Sequence, residues 1–542
     1  MLTTPRSEAN TLQDAPSSAA EPLPDKREAT VDRLALRQRL ARSIRTVFSF
    51  PSVLAALVAL MVFLMARGGG VNDPDIWWHL RNAQYLFHYL QFPRVDMYSF
   101  TVNGHPWVNP EWLAEIPFYL AWRAWGLLGI KLVTVLAAEG VLLALFYLCT
   151  ISSGNVKASA LATGFAVLLA VVNFGPRTIL FGYACLLALL IILERYRQRG
   201  HGPLWLLPPL FCLWANTHGS WEIGLIVFGI VIVGGLIEGR WGRVEAVRWS
   251  AKQLRNLFLA FGGSVAAVFA NPYGAGLVLW SVEYPFRMKL GVAHVQEYLS
   301  VDFHSARGKL VLILLIGLLA AALLSNYRWK LTDLLLTAFA LYSGLTYERF
   351  LFLAAILLSP LIAKFLDFLP PYQPHIDKPV LNGIIMAGVL ATFFLWFPSS
   401  GRMNKLLAKQ YPVGAVSYLK THEITGLIFN DYLWGGYLEW NDRQARTFID
   451  SRVDVFEDAG VLKDYLDAIG MTDPIEVLDK YHIRYVLLSV QQPIVYLLKR
   501  ESDWKVLYQS KTAVLFERSS IARAGNAGDM GRAASAREVT AN

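Results

Sequence analysis

The feature that most constrains this chain is a series of long apolar runs separated by short polar segments. A helix needs about 20 predominantly apolar residues to cross the hydrocarbon core of a bilayer, and several runs approach or exceed that length. Of the 542 residues, 55% are hydrophobic and only 17% are charged. This balance is typical of a polytopic membrane protein. We therefore expect a polytopic all-α membrane protein, followed by a soluble α/β domain at the C-terminal end.

The apolar runs predict about eleven transmembrane helices. They lie near residues 48–66, 127–149, 156–173, 178–194, 203–216, 220–238, 256–270, 308–325, 331–346, 349–366 and 380–398. The segment before the first run is rich in arginine, which favours a cytoplasmic N-terminus. With this orientation, most of the remaining basic residues fall in loops on the cytoplasmic side, and an odd number of helices puts the C-terminal domain on the outer side.

The same boundaries divide the chain into four parts. Residues 1–46 are polar and then basic, and are expected to be disordered and cytoplasmic. Residues 47–400 form the transmembrane domain, with a long first outer loop at 67–125. Residues 401–518 alternate β-like runs (GLIFN, RTFID, YVLLS) with helical ones, as α/β domains do. Residues 519–542 are again expected to be disordered.

The formal net charge of +9 could indicate nucleic-acid binding. However, the basic residues lie in short loops between apolar runs, as topology signals do, and form no basic face with interleaved aromatic residues. We therefore predict no nucleic-acid partner. The three cysteines, Cys149, Cys185 and Cys212, lie in or at the ends of apolar runs and are predicted to be inert buried thiols.

The first outer loop contains a pair of carboxylates, Asp73 and Asp75, on either side of Pro74. Such a pair can supply a general base, or can hold a divalent cation such as Mg²⁺ or Mn²⁺ against a phosphate. Alternatively, Asp75 caps the helix predicted over residues 76–90. His79 would share a helix face with Asp75 as a second base, a phosphate contact or a metal ligand, or it is simply an interfacial histidine.

Further polar residues occur at the outer ends of other segments, which suggests one cavity open to that side. Candidate substrate-binding residues are Glu111, Asn216 and His218. A helix start would equally explain Glu111.

Arg177 and Arg349 lie at the same face and suit a lipid phosphate, because a guanidinium binds phosphate well. Pairing of either arginine with Glu297, Asp302 or Glu348 is an open structural alternative.

Glu139 lies inside a predicted transmembrane helix, eight residues after Lys131. Ionisable groups are costly in the bilayer and are often functional there. The favoured interpretation is a paired structural glutamate. A contact to a lipid carrier and a proton relay are the alternatives.

A long acidic first loop, many further spans and a C-terminal outer domain together resemble the GT-C class of membrane glycosyltransferases. The similarity covers roughly residues 48–400 and is carried by the segments NDPDIWWHLRNAQYL, VDMYSFTVNGHPWVNPEWL, LWANTHGSW and ANPYG.

The resemblance implies a bacterial inner-membrane enzyme that transfers a sugar from a polyprenyl-phosphate-linked donor on the periplasmic side. The acceptor would be a hydroxyl group of a glycan, lipid or protein. The essential aspartate that the class has in this loop would be Asp73 or Asp75.

Three other functions remain open from the sequence. A glycan polymerase or ligase would use the same loop on a larger donor. A transporter or flippase would need paired charges near the bilayer centre and inverted repeats, and no repeat is evident. A non-catalytic envelope assembly protein would use the C-terminal domain for binding and the loop as a scaffold.

Overall fold

The computed structural model describes residue 39 and residues 43–170, 174–325 and 327–519. Most of the predicted disordered N-terminal segment and nearly all of the predicted disordered tail lie outside these residues, so those two predictions remain untested.

The first 400 residues are mainly helical. The helices of this part are α1 Phe50–Ala66, α2 Asp75–Tyr89, α3 Trp112–Trp125, α4 Leu127–Ser153, α5 Val156–Ala170, α6 Ile179–Arg199, α7 Leu207–Ala215, α8 Trp221–Val233, α9 Ala251–Ala267, α10 Ala275–Arg287, α11 Lys289–His294, α12 Ala306–Leu324, α13 Leu331–Thr346, α14 Leu351–Phe365 and α15 Pro379–Trp396. Each predicted apolar run overlaps one of these helices.

Within the described residues, four helices are long and apolar enough to cross a membrane: α4, α6, α12 and α15. Other apolar helices, including α1 and α5, are shorter. The number of crossings and their direction therefore remain predictions.

The centre of the helical part is formed by α14, which packs along α5 and α4. Ala158, Ala162 and Ala166 of α5 recur every four residues and are buried, so the two backbones approach closely. In contrast, α12 and α15 expose most of their apolar side chains, including Leu323 and Phe394. Such helices are stable at the edge of the bundle only if lipid covers them.

Lys131 and Glu139 do not form the pair that the sequence suggested. The Lys131 ammonium group donates to the carbonyl oxygens of Ala66 and, at 2.9 Å, Gly69. It therefore binds the C-terminal end of α1, whose last carbonyls have no partner within the helix. The buried Oε1 atom of Glu139 has no hydrogen-bond partner in the described part of the chain. The prediction of a paired structural glutamate is wrong.

The residues after α15 form a mixed sheet with helices around it, and we call this part the sheet module. Elsewhere, in the helical part, the small strand β1 Gly239–Trp241 pairs antiparallel with β2 Val244–Ala246, which pairs parallel with β3 Trp329–Lys330. The strands of the module are β4 Gly426–Asn430, β5 Ala445–Thr447, β6 Tyr485–Ser489, β7 Trp504–Gln509 and β8 Ala513–Arg518, in the order β5-β4-β6-β8-β7. Its helices are α16 Ser400–Gln410, α17 Val413–Thr421, α18 Gly435–Asn441, α19 Val453–Asp458, α20 Val461–Ile469, α21 Pro474–Lys480 and α22 Pro493–Leu498.

The parallel strands β5, β4 and β6 continue into the antiparallel pair β8 and β7. The predicted strands GLIFN and YVLLS coincide with β4 and β6. The run RTFID was predicted as a strand over 446–450, whereas β5 ends at Thr447. Beyond Thr447 the Asn430 side chain at the end of β4 bonds this backbone: its oxygen accepts from the Phe448 amide at 2.8 Å, and its amide donates to the Ile449 carbonyl at 2.7 Å.

The first loop, residues 67–125, joins the edge of this sheet. Ser99 pairs with Thr447 in parallel orientation, and the amide of Phe100 donates to the carbonyl of Thr447 at 3.0 Å. The Thr101 hydroxyl donates to the carbonyl of Phe448 at 2.6 Å. An open strand edge invites pairing with other chains, and here the loop covers it.

A buried guanidinium holds the same contact. Arg452 of the sheet module, 1% exposed, donates to Asp450 at 2.5 Å and to Asp96 of the first loop at 2.6 Å. Its guanidinium also lies over the ring of Trp107, 4.7 Å from the centroid. All three side chains are buried, so water cannot solvate their charges. The guanidinium and the two carboxylates must therefore compensate one another.

We expect Arg452→Met to destabilise the chain by about 3–5 kcal/mol, because it leaves the Asp96 and Asp450 carboxylates buried without a cation. Thermal unfolding of the detergent-solubilised chain, followed by tryptophan fluorescence, measures the effect. Lys463→Met is the control, since Lys463 pairs with Asp467 on the surface, where a pair is worth about 0–1 kcal/mol. Equal shifts in the two variants would contradict the proposed importance of Arg452.

Candidate active site

Polar side chains from four separate segments meet beneath the sheet module. They come from the first loop, the segment before α6, the α7–α8 connection and the turn between α13 and α14. Contacts or charge interactions link the predicted site residues Asp73, Asp75, His79, Glu111, Arg177, His218 and Arg349. Asn216 lies beside this group rather than within it.

Asp73 is fixed in place by two different donors. One carboxylate oxygen accepts from the Arg177 Nε atom at 2.5 Å, and the other accepts from the amide of Asp75 at 2.9 Å. The carboxylate is 5% exposed. Asp75 is the first residue of α2, so the capping role considered for Asp75 belongs to Asp73. Arg177 in turn binds Glu297, which completes a carboxylate–guanidinium–carboxylate chain that is partly exposed at its Glu297 end.

Asp75 has fewer partners than Asp73. One of its oxygens accepts a hydrogen bond from the Trp78 Nε1 atom at 3.2 Å. Burial and the neighbouring Asp73 charge raise the pKa of Asp75 from 3.8 to about 7, against the opposing effects of His79 and the Ser451 hydroxyl. Asp75 therefore takes up and releases a proton near neutral pH, as a general base must.

His79 lies between two carboxylates. Its Nδ1 atom is 3.0 Å from Glu115 Oε1, and its Nε2 atom is 3.3 Å from Glu111 Oε2. Burial alone would lower the pKa of His79, but the hydrogen bond to Glu115 and the charges of Glu111, Glu115 and Asp75 raise it above the usual value. His79 therefore bridges the two carboxylates and holds them together.

His218 is the neutral counterpart of His79. Its Nδ1 atom accepts from the amide of Ser220 at 3.0 Å, so the proton must be on Nε2, which faces Glu111 Oε1 at 3.3 Å. Burial lowers the pKa of His218 to about 4. Thr178 donates to the remaining oxygen of Glu111 at 2.9 Å. The Glu111 carboxylate is thus fully occupied in joining α2, α6 and the α7–α8 connection.

The two arginines differ in what they offer to a ligand. Arg177 already binds Asp73 and Glu297, as the structural alternative suggested. Glu348 binds Arg307 instead of Arg349. The Arg349 guanidinium lies 4.6 Å from the Tyr298 ring centroid, and its buried Nε atom has no hydrogen-bond partner among the described residues. A buried donor without a partner is costly, so Arg349 is prepared for an incoming acceptor.

Asn216 is engaged in structural hydrogen bonds. Its side-chain oxygen accepts from the Trp112 Nε1 atom at 2.9 Å, and its amide donates to the carbonyls of Cys212 and Ala270 at 2.8 and 2.9 Å. It therefore fixes the start of α3, directly after Glu111.

Several residues near Asp75 were not predicted as site residues. Ser451 and Tyr432 come from the sheet module: a hydrogen bond from Ser451 acts to lower the pKa of Asp75, and burial together with the Asp75 charge raises the pKa of Tyr432. The Tyr411 hydroxyl donates to the Asp73 carbonyl at 3.3 Å. The run Asp450-Ser451-Arg452 follows a β-like segment, which is where α/β ligand sites occur, but only the docking of the module brings it to the loop.

The Asp73 and Asp75 pair fits poorly as a divalent-cation site. Among the described residues, no group of three or more histidine, cysteine or acidic side chains has an arrangement suited to a metal. Both Asp73 oxygens already accept from N–H donors, one of them a guanidinium. Mg²⁺ instead needs oxygen ligands free to coordinate it.

No family model and no curated protein matches the chain. Among solved structures it is similar to ArnT from Cupriavidus metallidurans, at 12% identity. For ArnT bound to undecaprenyl phosphate, the alignment covers 86% of this chain and 97% of that one, with a TM-score of 0.37. For ArnT in the apo state, it covers 86% and 98%, with a TM-score of 0.38.

We expect the two aspartates to affect stability in opposite directions. The folded chain holds the Asp75 proton more tightly than the unfolded chain, so ionisation of Asp75 costs stability as the pH rises from 3.8 towards 7. Asp75→Asn should therefore stabilise the chain above pH 7 by up to about 4 kcal/mol, and the gain should vanish near pH 4.

Asp73→Asn should destabilise the chain at neutral pH, because it removes one of the two carboxylates that compensate Arg177. Unfolding midpoints of both variants across this pH range test the pair. A loss of stability in Asp75→Asn above pH 7 would contradict the raised pKa.

Proposed function

We propose that this chain is a GT-C-type membrane glycosyltransferase, which transfers a sugar from a polyprenyl-phosphate-linked donor to an acceptor hydroxyl. The proposal rests on one observation: among the described residues, the cluster contains a base, Asp75, and a cation, Arg349, and neither of them is held in an ion pair. Asp75 has a pKa near neutrality, and Arg349 has a buried donor with no acceptor. The sequence resemblance supports the same class. It also implies a bacterial inner membrane, a cytoplasmic N-terminus and a reaction on the periplasmic side.

In this mechanism Asp75 is the general base. It takes the proton of the acceptor hydroxyl as the hydroxyl oxygen attacks the anomeric carbon of the donor sugar. The bond from that carbon to the phosphate oxygen breaks, and its electron pair leaves with the polyprenyl phosphate. Asp73 is a positioning residue, since it fixes the amide of Asp75 and the Arg177 side chain.

The arginines would stabilise the departing phosphate. Arg349 can donate to a phosphate oxygen, which would satisfy its Nε atom and bring a negative charge to a cation that lies over the Tyr298 ring. Arg177 adds positive charge nearby while remaining bound to Asp73 and Glu297. The lipid part of the donor would remain in the bilayer, so the donor enters sideways from the membrane. No divalent cation is required in this scheme.

The decisive experiment is transfer of radiolabelled sugar from a panel of polyprenyl-phosphate sugars, with and without chelator. The membranes would contain wild type, Asp73→Asn or Asp75→Asn at equal expression. We expect Asp75→Asn to abolish transfer, Asp73→Asn to reduce it, and chelator to have no effect. Full activity of Asp75→Asn would exclude Asp75 as the base. If wild type transfers from no donor and both variants still complement a deletion strain, the assembly-protein alternative is favoured.

Arg349→Gln should lower kcat/KM for the donor by about 100-fold, because it removes a charged donor from the leaving phosphate. Arg307→Gln is the matched control, since Arg307 belongs to the same region but is already paired with Glu348. We expect Arg307→Gln to change transfer by less than about threefold. Equal losses in both variants would indicate a structural role for Arg349.

The rate of transfer should rise with pH up to about 7, because only the ionised form of Asp75 can accept the proton. Below pH 7 the slope of log kcat/KM should approach one tenfold change per pH unit. Initial rates across this range give the profile. A rate that is flat down to pH 4 would place the proton elsewhere.

A further inference from the structure

A cavity of about 300 Å³ lies beside this cluster, between the first loop, α10 and the start of α19. Aromatic rings line much of it, and carboxylates complete the wall. The lining includes Trp107, Tyr273, Trp280, Tyr284, Asp454 and Asp458. The volume is at the lower end of the range of small-molecule sites.

The charges around the cavity largely compensate one another. Arg287 pairs with Glu283 at 2.7 Å, and His105 lies 3.5 Å from Asp458. Arg94 donates to the Pro272 carbonyl at 3.0 Å. A strongly charged ligand would meet no excess of opposite charge here. A lipid chain would exclude water from these polar groups without giving them hydrogen bonds, which is costly. Aromatic faces and carboxylates together suit a neutral ligand with apolar faces and many hydroxyl groups.

Two short paths connect the cavity to the proposed base and to the free cation. The ring of Trp107 packs edge-on against Trp78, with 5.8 Å between centroids, and Trp78 donates to Asp75. On the other side, the hydroxyl of Tyr284 lies 3.1 Å from that of Tyr298, whose ring lies under Arg349. The cavity is therefore linked to each of the two groups that the reaction needs through a pair of packed side chains.

We propose that this cavity binds the acceptor and that the acceptor is a saccharide. The proposal rests on the glycosyltransferase function proposed above. It narrows the acceptor from a glycan, lipid or protein to a sugar whose hydroxyl group projects from the cavity towards Asp75. The aromatic rings would pack on the faces of the sugar, and the carboxylates would accept from its hydroxyls.

Gly276 offers a way to close the cavity without disturbing its walls. It is the second residue of α10, it lines the cavity, and a side chain added there would meet no atom within 4 Å. Gly276→Leu would therefore fill space that the ligand needs. Gly401→Leu is the matched control, because Gly401 is the second residue of α16 and also faces open space.

The experiment is calorimetric titration of the full-length chain in detergent with methyl glycosides of hexoses and N-acetylhexosamines. We expect at least one glycoside to bind wild type and Gly401→Leu alike. Binding by Gly276→Leu should be at least tenfold weaker. Because binding and not transfer is measured, the result does not depend on catalysis.

Absence of binding to wild type across the panel, or unchanged binding by Gly276→Leu, would overturn the proposal. Transfer of sugar to a peptide or to a lipid without a sugar headgroup would also overturn it, while leaving the glycosyltransferase function intact. Saccharide binding without any transfer would have the reverse meaning: it would support a saccharide-binding cavity and contradict the proposed glycosyltransferase function.

Discussion

The ion pairs of Arg452 hold the sheet module against the first loop, and the rest of the site depends on that contact. One guanidinium joins Asp96 of the loop to Asp450 of the module, with all three groups removed from water. The docked module brings Ser451 to Asp75 and closes one wall of the cavity beside it. Burial beneath the module and the bundle is the main reason why the pKa of Asp75 is near neutrality.

Within the site, most charged side chains form ion pairs with one another, and two do not. Asp73, Arg177 and Glu297 compensate one another, and His79 is held between Glu111 and Glu115. These contacts form a rigid polar frame around the candidate reacting groups. Asp75 and Arg349 are the exceptions, and the proposed mechanism assigns them the acceptor proton and the leaving phosphate. A frame of this kind keeps reactive groups in place without neutralising them.

The sequence was sufficient to predict the apolar helices, because a helix that crosses a bilayer must be apolar and long enough to span the hydrocarbon core. It also identified most residues of the cluster, because isolated polar groups at the ends of apolar runs are conspicuous. It did not show which aspartate caps α2. Asp75 is the first residue of the helix and Asp73 lies two residues before it, and the Asp73 carboxylate that accepts from the Asp75 amide is also held by Arg177, more than 100 residues away in the chain.

Long-range contacts explain the other differences. Lys131 was expected near Glu139 because they are close in sequence, but it binds the end of α1. Ser451, Tyr432 and Tyr411 reach the site only because the sheet module docks on the loop, a contact that no local pattern encodes. The shortened strand β5 also depends on a neighbouring segment, since the Asn430 side chain of β4 bonds the backbone of Phe448 and Ile449.

The pairing of Ser99 with Thr447, and of Asp96 with Arg452, also affects how the protein is made. The two halves of the ion pair are 356 residues apart in the chain, and the loop is synthesised long before the module. Until translation has passed β5, the loop has no strand to pair with and Asp96 has no cation. A nascent chain can therefore insert its helices early. The candidate site itself is complete only after synthesis has reached the sheet module, so an unfinished chain lacks it.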